Sequence, residues 1–263
     1  MATVFFGPEP VLVGEHRLTW DVPEGWEQGR GAWGGMVVTG VVRSAVTALG
    51  SVLPVKSISV QILGPVLAGY ADVVVEPLRK GSNTNSANVK VLQDGEVKAN
   101  AVVIFGAARV PDLLLTADDA VPHIPPRNEL PTVPRDAGAP TFMQHFELQL
   151  ASGIPYTATP ADVLGYCTPR LIADAHDAAS LLGMVDCYWP STITQVEGYR
   201  PAATLTFEAY LLVDPAEIPA DTTFIHFGTT LGAFGGYAAE LRRIWTTDGT
   251  LVAANLQLVA IIK

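Results

Sequence analysis

Asp186 is the carboxylate whose place in the sequence best suits acid–base chemistry. It follows the apolar run Leu181–Val185 near the end of a predicted helix. Burial would disfavour its charged form and the negative end of the helix dipole would add to that effect, so both would raise its pKa. A carboxyl group of this kind can serve as a general base. A solvent-exposed aspartate at a helix end is the alternative interpretation.

Two other polar residues interrupt apolar strand sequences. Gln257 lies in the segment NLQLVAII, and Thr204 begins the strand predicted after the helix. On an alternating strand, Gln257 faces either the core or the solvent, and the sequence leaves both possibilities open. A threonine in a strand carries no functional signal by itself.

Signatures of several other kinds of site are missing from the sequence. It contains no GxSxG, HExxH or GxxxxGK[ST] segment, no GxGxxG after a strand and no paired Cys/His spacing. We therefore expect no metal and no other cofactor. The histidines are interpreted as structural or surface residues, with His176 near the second helix the least ordinary of them: His16, His123, His145, His176 and His226.

The predicted elements occur twice in the same order. The first half is predicted to form strands at 11–22, 55–67, 71–76, 86–93 and 97–107, with an apolar helix at Gly34–Leu49 after the first strand. The second half is predicted to form strands at 142–150, 204–213, 222–230, 237–246 and 251–262, with a helix at 174–188. Between them, residues 109–140 contain seven prolines, which indicates an interdomain linker. The predicted domains are 1–108, 109–140 and 141–263.

Similar segments in the two halves suggest an internal duplication. QDGEVKANAVVIFG matches TDGTLVAANLQLVA, and SISVQILGPV matches TLTFEAYLLV. These matches place Val103 opposite Gln257 and Ser57 opposite Thr204, and the first helix has no carboxylate corresponding to Asp186. Chance similarity between apolar strands is the alternative.

This element order favours an α+β double hot-dog fold, in which two curved antiparallel sheets each wrap a central helix. An apolar helix needs a sheet to cover it, and a concave apolar sheet needs such a helix. A pair of β-sandwiches would leave no place for the two helices.

The charge and cysteine content of the sequence limit which binding partners and which cellular location are expected. The net charge is −10, which argues against nucleic-acid binding and against attachment to anionic membranes. The first 20 residues lack a secretory signal, and no apolar stretch is long enough for a membrane span. Cys167 and Cys187 form no CxxC pair, and a cytoplasmic location is expected.

Over essentially its whole length, the sequence resembles the acyl-CoA thioesterase II family of double hot-dog enzymes. Trp33-Gly34-Gly35 is similar to the start of the family's first helix, and Ala203-Thr204-Leu205 to its Ala-Thr-Ile. The stretch from Arg79 to Ser86 is similar to an Arg-x-Gly-x-x-x-Ser hairpin. The sequence departs from the family pattern on two strands. Leu258-Val259 follow Gln257 where members have Glu-Gly. Two residues after Thr204 stands Thr206, where some members have Asp, so the strand register could place Thr206 at the threonine position instead.

The resemblance implies hydrolysis of fatty acyl-CoA in lipid metabolism. It assigns Asp186, Thr204 and Gln257 the task of holding and activating the attacking water. Backbone N–H groups of Gly34 and Gly35, at the start of the first helix, would bind the thioester oxygen.

Cationic residues at the mouth of the site would meet the phosphates of CoA, and Arg79 and Lys80 are candidates. A homodimer or larger homo-oligomer is expected, because hot-dog sheets often continue across subunits. Three alternatives remain open: a non-catalytic acyl-thioester binding module, a hot-dog hydratase acting on enoyl or hydroxyacyl thioesters, and a structural or scaffold protein whose exposed sheet edges pair between subunits. The sequence lacks the Asp-x-Asn-x-x-His-like loop typical of the hydratases.

Overall fold

The computed structural model describes residues 5–110, 121–135, 138–171 and 173–262. In the first half, the predicted helix is confirmed with its predicted bounds, and the predicted strand at 11–22 is two strands, because His16 takes a positive φ of 58° between them. The elements of this half are β1 Val11–Gly14, β2 Arg17–Val22, β3 Glu27–Gln28, β4 Gly31–Ala32, α1 Gly34–Leu49, β5 Val55–Ile62, β6 Gly69–Lys80, β7 Thr84–Gln93 and β8 Glu96–Gly106.

The second half repeats this order and contains one strand, β10, that the sequence analysis missed. The strand predicted at 142–150 begins only at Phe146, since residues 141–145 form a 3-10 turn. The elements of this half are β9 Phe146–Ser152, β10 Asp162–Pro169, α2 Ala178–Met184, β11 Ala202–Leu211, β12 Phe224–Phe234, β13 Tyr237–Thr246 and β14 Leu251–Ile261.

The second helix is shorter than the predicted 174–188. It starts after Asp177, whose side chain accepts a hydrogen bond from the Ser180 N–H at 2.7 Å in a capping box. Beyond Met184 the chain forms a tighter turn, in which the Asp186 N–H donates to the Gly183 carbonyl three residues earlier at 3.0 Å. Pro190 then disfavours a further helical turn. Asp186 therefore lies just past the helix rather than inside it.

Twelve strands of the described residues form one antiparallel sheet that joins the two halves, and β3 and β4 form a separate two-stranded sheet. The twelve-strand order is β1-β2-β6-β7-β8-β5-β11-β14-β13-β12-β10-β9, with β5 paired to β11 at the junction. The helices pack against each other, and α1 is buried along most of its length. A Cβ on Gly40 would lie 2.6 Å from the Trp20 ring, so glycine is what lets the sheet approach α1 here. The double hot-dog architecture is confirmed.

Strand registers show which positions of the two halves are equivalent. Ala87 pairs with Val103 between β7 and β8, and Glu240 pairs with Gln257 between β13 and β14. This supports the alignment of Val103 with Gln257. The alignment of Ser57 with Thr204 is wrong, because both halves carry a bulge that makes Val55, two residues earlier, the counterpart of Thr204.

The proline-rich segment packs, where it is described, against the second half. Arg127 bonds to Glu147 and Gln149, and Thr132 bridges to Gln149. Residues 111–120 and 136–137 of the segment lie outside the described residues. Among the helices that the structure describes, none is long and apolar enough to cross a membrane.

Candidate active site

Asp186 lies buried where the end of α2 meets the start of α1. Only 3% of the residue is exposed. One carboxylate oxygen, Oδ2, accepts a hydrogen bond from the Gly35 N–H at 3.1 Å, and its main-chain oxygen accepts one from the Trp33 indole at 2.7 Å. These contacts hold the carboxylate against the first turn of α1, where backbone donors have no partner within the helix.

The glycine pair makes room for this contact. A Cβ on Gly34 would lie 2.6 Å from Asp186 Oδ2, and a Cβ on Gly35 would lie 2.3 Å from the Trp33 ring. The structure thus brings both glycines to the site predicted for them. The Gly35 N–H, expected to be free for a substrate oxygen, donates to Asp186.

The other carboxylate oxygen of Asp186 binds Arg242, which the sequence analysis did not identify. Arg242 Nη1 donates to Asp186 Oδ1 at 2.6 Å, and Arg242 Nε donates to Glu240 Oε1 at 2.7 Å. Glu240 Oε2 in turn accepts from the Ser191 N–H at 3.0 Å. The sequence does carry a signal for them. Every second position of β13 from 238 to 244 is buried, so two charges share one strand face with the core residues Ala238 and Ile244.

Arg242 also reaches Gln257. With the amide oxygen of Gln257 facing the guanidinium, Arg242 Nη2 lies 3.0 Å from it, and the amide nitrogen donates to Thr204 Oγ1 at 3.2 Å. The opposite amide orientation would bring donors together, so the hydrogen-bond network selects this one. Asp186, Thr204 and Gln257 are therefore brought into one cluster, with Arg242 linking them.

The β11 bulge decides which threonine faces the cluster. The register shifts between Thr204 and Thr206. Thr204 points to Gln257, whereas Thr206 is exposed and its hydroxyl accepts from the Leu258 N–H at 3.2 Å. Thr204, and not Thr206, is the hydroxyl at the site.

The surroundings of Asp186 raise the pKa of its carboxyl group towards neutrality. Burial raises its pKa to about 6, opposed by the positive charge of Arg242, while Glu240 adds to the rise and the Gly35 N–H counters it. The upward direction and its main cause, burial, agree with the sequence prediction. The helix end that faces the carboxylate is the N-terminus of α1, which favours the charged form.

Three of the five histidines pack against aromatic rings, and one of these borders the site. His145 stacks on Trp26 with 3.7 Å between the ring centroids, and His176 stacks on Phe5 with 4.3 Å between the ring centroids. His226 is buried beside Tyr188, where desolvation, followed by the charge of Arg242, lowers its pKa to about 3. It is therefore neutral near neutral pH.

Arg79 and Lys80, the expected CoA contacts, lie away from the cluster. Both are exposed at the end of β6. The neighbouring Asn85 bonds to Ser51, just beyond the C-terminus of α1. Since α1 has 16 residues, it is about 24 Å long, and Asp186 lies at its other end. The structure does not bring these two cations to the site.

Comparison with known proteins agrees with this architecture. Residues 117–261 match the acyl-CoA thioesterase C-terminal domain family, and residues 22–106 match the acyl-CoA thioesterase N-terminal domain family. Comparison with curated proteins gives no match.

Solved structures share the fold along nearly the whole chain. A conserved hot dog fold protein of unknown function from Alicyclobacillus acidocaldarius has a TM-score of 0.88 at 22% identity, covering 97% of this chain and 96% of that one. Acyl-CoA thioesterase II TesB2 from Mycobacterium marinum has a TM-score of 0.76 at 19% identity, with coverage of 96% and 94%. The tesB protein of Mycobacterium avium subsp. paratuberculosis has a TM-score of 0.77 at 16% identity, with coverage of 97% and 96%.

Proposed function

This chain belongs to the acyl-CoA thioesterase family, and on that basis we propose that it hydrolyses fatty acyl-CoA to a free acid and CoA, with Asp186 as the general base. The observation that carries the proposal is the cluster itself. A carboxylate, a hydroxyl and an amide meet at a buried point next to the N-terminus of α1. That combination can bind a water molecule and remove its proton.

The proposed reaction uses these residues in one addition and one elimination. Thr204 and Gln257 orient a water molecule, and Asp186 takes a proton from it as its oxygen bonds to the thioester carbon. The carbonyl oxygen becomes negatively charged. The carbon–sulfur bond then breaks, the carbonyl re-forms, and the CoA thiolate leaves with the proton returned by Asp186.

The first turn of α1 supplies the stabilisation that the negatively charged oxygen requires. The Gly35 N–H is engaged by Asp186. The Gly34 N–H, at the first helical position, has no acceptor within the helix and lacks a side chain that would hinder approach. We therefore assign the oxyanion contact to Gly34.

The protonation state of Asp186 limits the useful pH range. With a pKa of about 6, roughly nine-tenths of the carboxyl groups are ionised at pH 7. Activity should therefore rise with pH through about 6. The stability contribution runs the other way: because folding raises this pKa from its ordinary value of 3.8, the contribution is complete below that value and is lost as pH rises through about 6.

The decisive test is the release of free CoA, followed with a thiol reagent, on acyl-CoAs from acetyl to palmitoyl and on an aromatic thioester. Wild type should turn over fatty acyl-CoAs, and Asp186→Asn should lower kcat by roughly 100-fold or more, the range for loss of a general base. Asp177→Asn is the matched control. It weakens a second arginine–aspartate ion pair, Arg43–Asp177 at 2.8 Å, which lies at the other end of α2 and is more exposed than the Arg242–Asp186 pair, and it keeps a good helix-capping residue.

The possible results separate the candidate functions. An Asp186→Asn protein that is folded and fully active would refute the general-base role. Tight acyl-CoA binding without CoA release by wild type would instead indicate a non-catalytic binding module. Addition of water to an enoyl-CoA without CoA release would indicate a hydratase.

A further inference from the structure

Arg242 is the residue through which the proposed catalytic side chains contact one another. Its guanidinium lies 2.6 Å from Asp186 Oδ1 and, through Nη2, 3.0 Å from the Gln257 amide oxygen. It also donates to the Tyr188 carbonyl at 3.2 Å. Only 1% of its side chain is exposed. A planar guanidinium can hold two acceptors in fixed directions, which a lysine ammonium cannot.

We infer that Arg242, fixed in place by Glu240, is the positioning residue of this site: it holds the Asp186 carboxylate ionised and directed at the water, and it sets the orientation of the Gln257 amide. This inference rests on the proposed function. Arg242 touches the catalytic groups rather than the substrate, and its effect on the reaction passes through them.

Glu240 binds the guanidinium of Arg242 at Nε, whereas Asp186 binds it at Nη1. It accepts from Arg242 Nε at 2.7 Å and from the Ser191 N–H at 3.0 Å. Its side chain has no exposed surface. Because both ends of the guanidinium are bound, Arg242 cannot turn away from Asp186 without losing two charged contacts.

The orientation of Gln257 determines what Thr204 can do. With the amide oxygen directed at Arg242, the amide nitrogen donates to Thr204 Oγ1. The hydroxyl oxygen then acts as an acceptor, so its own hydrogen is free to be donated to water or substrate. Arg242 therefore acts on Thr204 as well as on Asp186.

The fold does not need this charged pair for packing. The equivalent first-half positions are Ala87 and Val89, which pack in the same sheet face without any charge. Burying two charges costs desolvation free energy, and replacement of such pairs by apolar residues is often neutral or stabilising. A pair kept at this place is better explained by its contact with Asp186 than by stability.

Two titratable groups beside the pair, His226 and Tyr188, do not change charge between pH 5 and 8. Desolvation lowers the pKa of His226 to about 3 and raises that of Tyr188 well above its ordinary value, so both remain neutral from pH 5 to 8. The Cys187 side chain acts on the pKa of Arg242 only weakly compared with Glu240 and Asp186. Asp186 is thus the group whose charge the pair controls.

Three variants separate the charge of the pair from its geometry. Arg242→Lys keeps the charge but cannot bridge two acceptors, so kcat should fall about 10-fold or more while the acid limb of the pH profile stays in place. Glu240→Gln removes a negative charge near Asp186, so the acid limb should move to lower pH. Glu240→Leu/Arg242→Met replaces the pair by apolar residues of similar volume, and the acid limb should move to higher pH by about 1 unit or more, because an unpaired buried carboxyl resists ionisation.

A second measurement does not depend on turnover. The free energy of unfolding of each protein is compared over pH 4 to 8 with that of the same protein carrying Asp186→Asn, and the difference reports the titration of Asp186. Its midpoint should fall in Glu240→Gln and rise in the apolar double variant. If wild type hydrolyses no thioester, the proposed function fails, yet this titration still decides whether the pair controls Asp186.

Specific results would overturn the inference. A folded double variant with wild-type kcat and an unmoved acid limb would show that the pair is only structural. If the double variant does not fold, unchanged kcat in Arg242→Lys together with an unmoved Asp186 midpoint in Glu240→Gln would equally show a purely structural pair.

Discussion

The two halves of the molecule present the same sheet face to the same kind of helix, yet they differ in polarity at matched positions. The pair Ala87–Val103 of the first half corresponds to Glu240–Gln257 of the second. In the adjacent row, Val89–Ala101 corresponds to Arg242–Asn255. Because a duplicated fold can be built with apolar side chains at these places, the connected residues Glu240, Arg242 and Gln257 of the second half indicate a role other than packing.

The difference extends to the strand beside each helix end. Val55 and Thr204 precede matching bulges. Thr204 contacts Gln257, whereas Val55 lines a cavity of about 590 Å³ together with Val42 and Val46 of α1. The same backbone feature therefore lies beside a cavity of mixed apolar and charged lining in one half and places a hydroxyl within a polar cluster in the other. The candidate site thus differs from its first-half counterpart by side-chain substitution on a common backbone.

Converting Gln257 to the first-half residue should produce the largest loss among the exchanges between halves. Gln257→Val removes the link between Arg242 and Thr204 while supplying the side chain that Val103 provides in the first half. We expect kcat to fall by about 100-fold through misplacement of the water. The circular dichroism spectrum should stay that of the folded wild-type protein.

Asn255→Ala is the matched control for this change. It also restores a first-half residue, Ala101, one row away on β14, and the Asn255 amide bonds to the Glu208 carbonyl rather than to the cluster. Its kcat should remain close to wild type. Equal losses in both variants would mean that β14 tolerates no first-half residue, and the assignment of Gln257 would lose its support.

Replacing the hydroxyl of Thr204 should have a smaller effect. Thr204→Val preserves side-chain shape and again introduces the first-half residue, Val55. Loss of one hydrogen bond to a reacting group should lower kcat by roughly 10-fold. Thr206→Val, on the exposed side of the same bulge, should leave kcat unchanged; the reverse ranking of the two variants would place Thr206 at the site.

Periodicity and turn signals were sufficient to predict much of the fold. The bounds of α1 and of β13 follow from sequence, because an apolar helix and an alternating strand that ends at a tight turn leave a clear pattern. Both predicted bounds of α2 were wrong, since capping by Asp177 at its start and the turn after Met184 at its end are set by local hydrogen bonds rather than by hydrophobicity. The strand β10 was missed because its sequence, DVLGYCTP, has no clear alternation.

The site was predictable in part for a similar reason. Asp186 and Gln257 are conspicuous because each stands among apolar neighbours in sequence. Arg242 and Glu240 lie in a segment rich in charge, where a solvated strand is the ordinary interpretation. A period of two places them on one strand face with Ala238 and Ile244, but the structure is needed to show that this face is buried and that α1 presents its first turn to Asp186.

The smallest expected effect on activity comes from the reciprocal change in the first half. Val103→Gln places an amide at the position equivalent to Gln257, but its neighbours there are Ile58 and Ala87, which offer no side-chain hydrogen bonds. An unsatisfied buried amide should lower the free energy of unfolding by about 1–3 kcal/mol, measured by urea denaturation, while kcat stays at the wild-type value. If Val103→Gln were instead neutral for stability, both sheet faces would accept polar groups freely, and polarity confined to the second half would no longer point to a site. A stability loss without an activity loss, opposite to the result expected for Gln257→Val, would show that burial of polar groups is costly in this fold and is tolerated in the second half because the residues there bind one another.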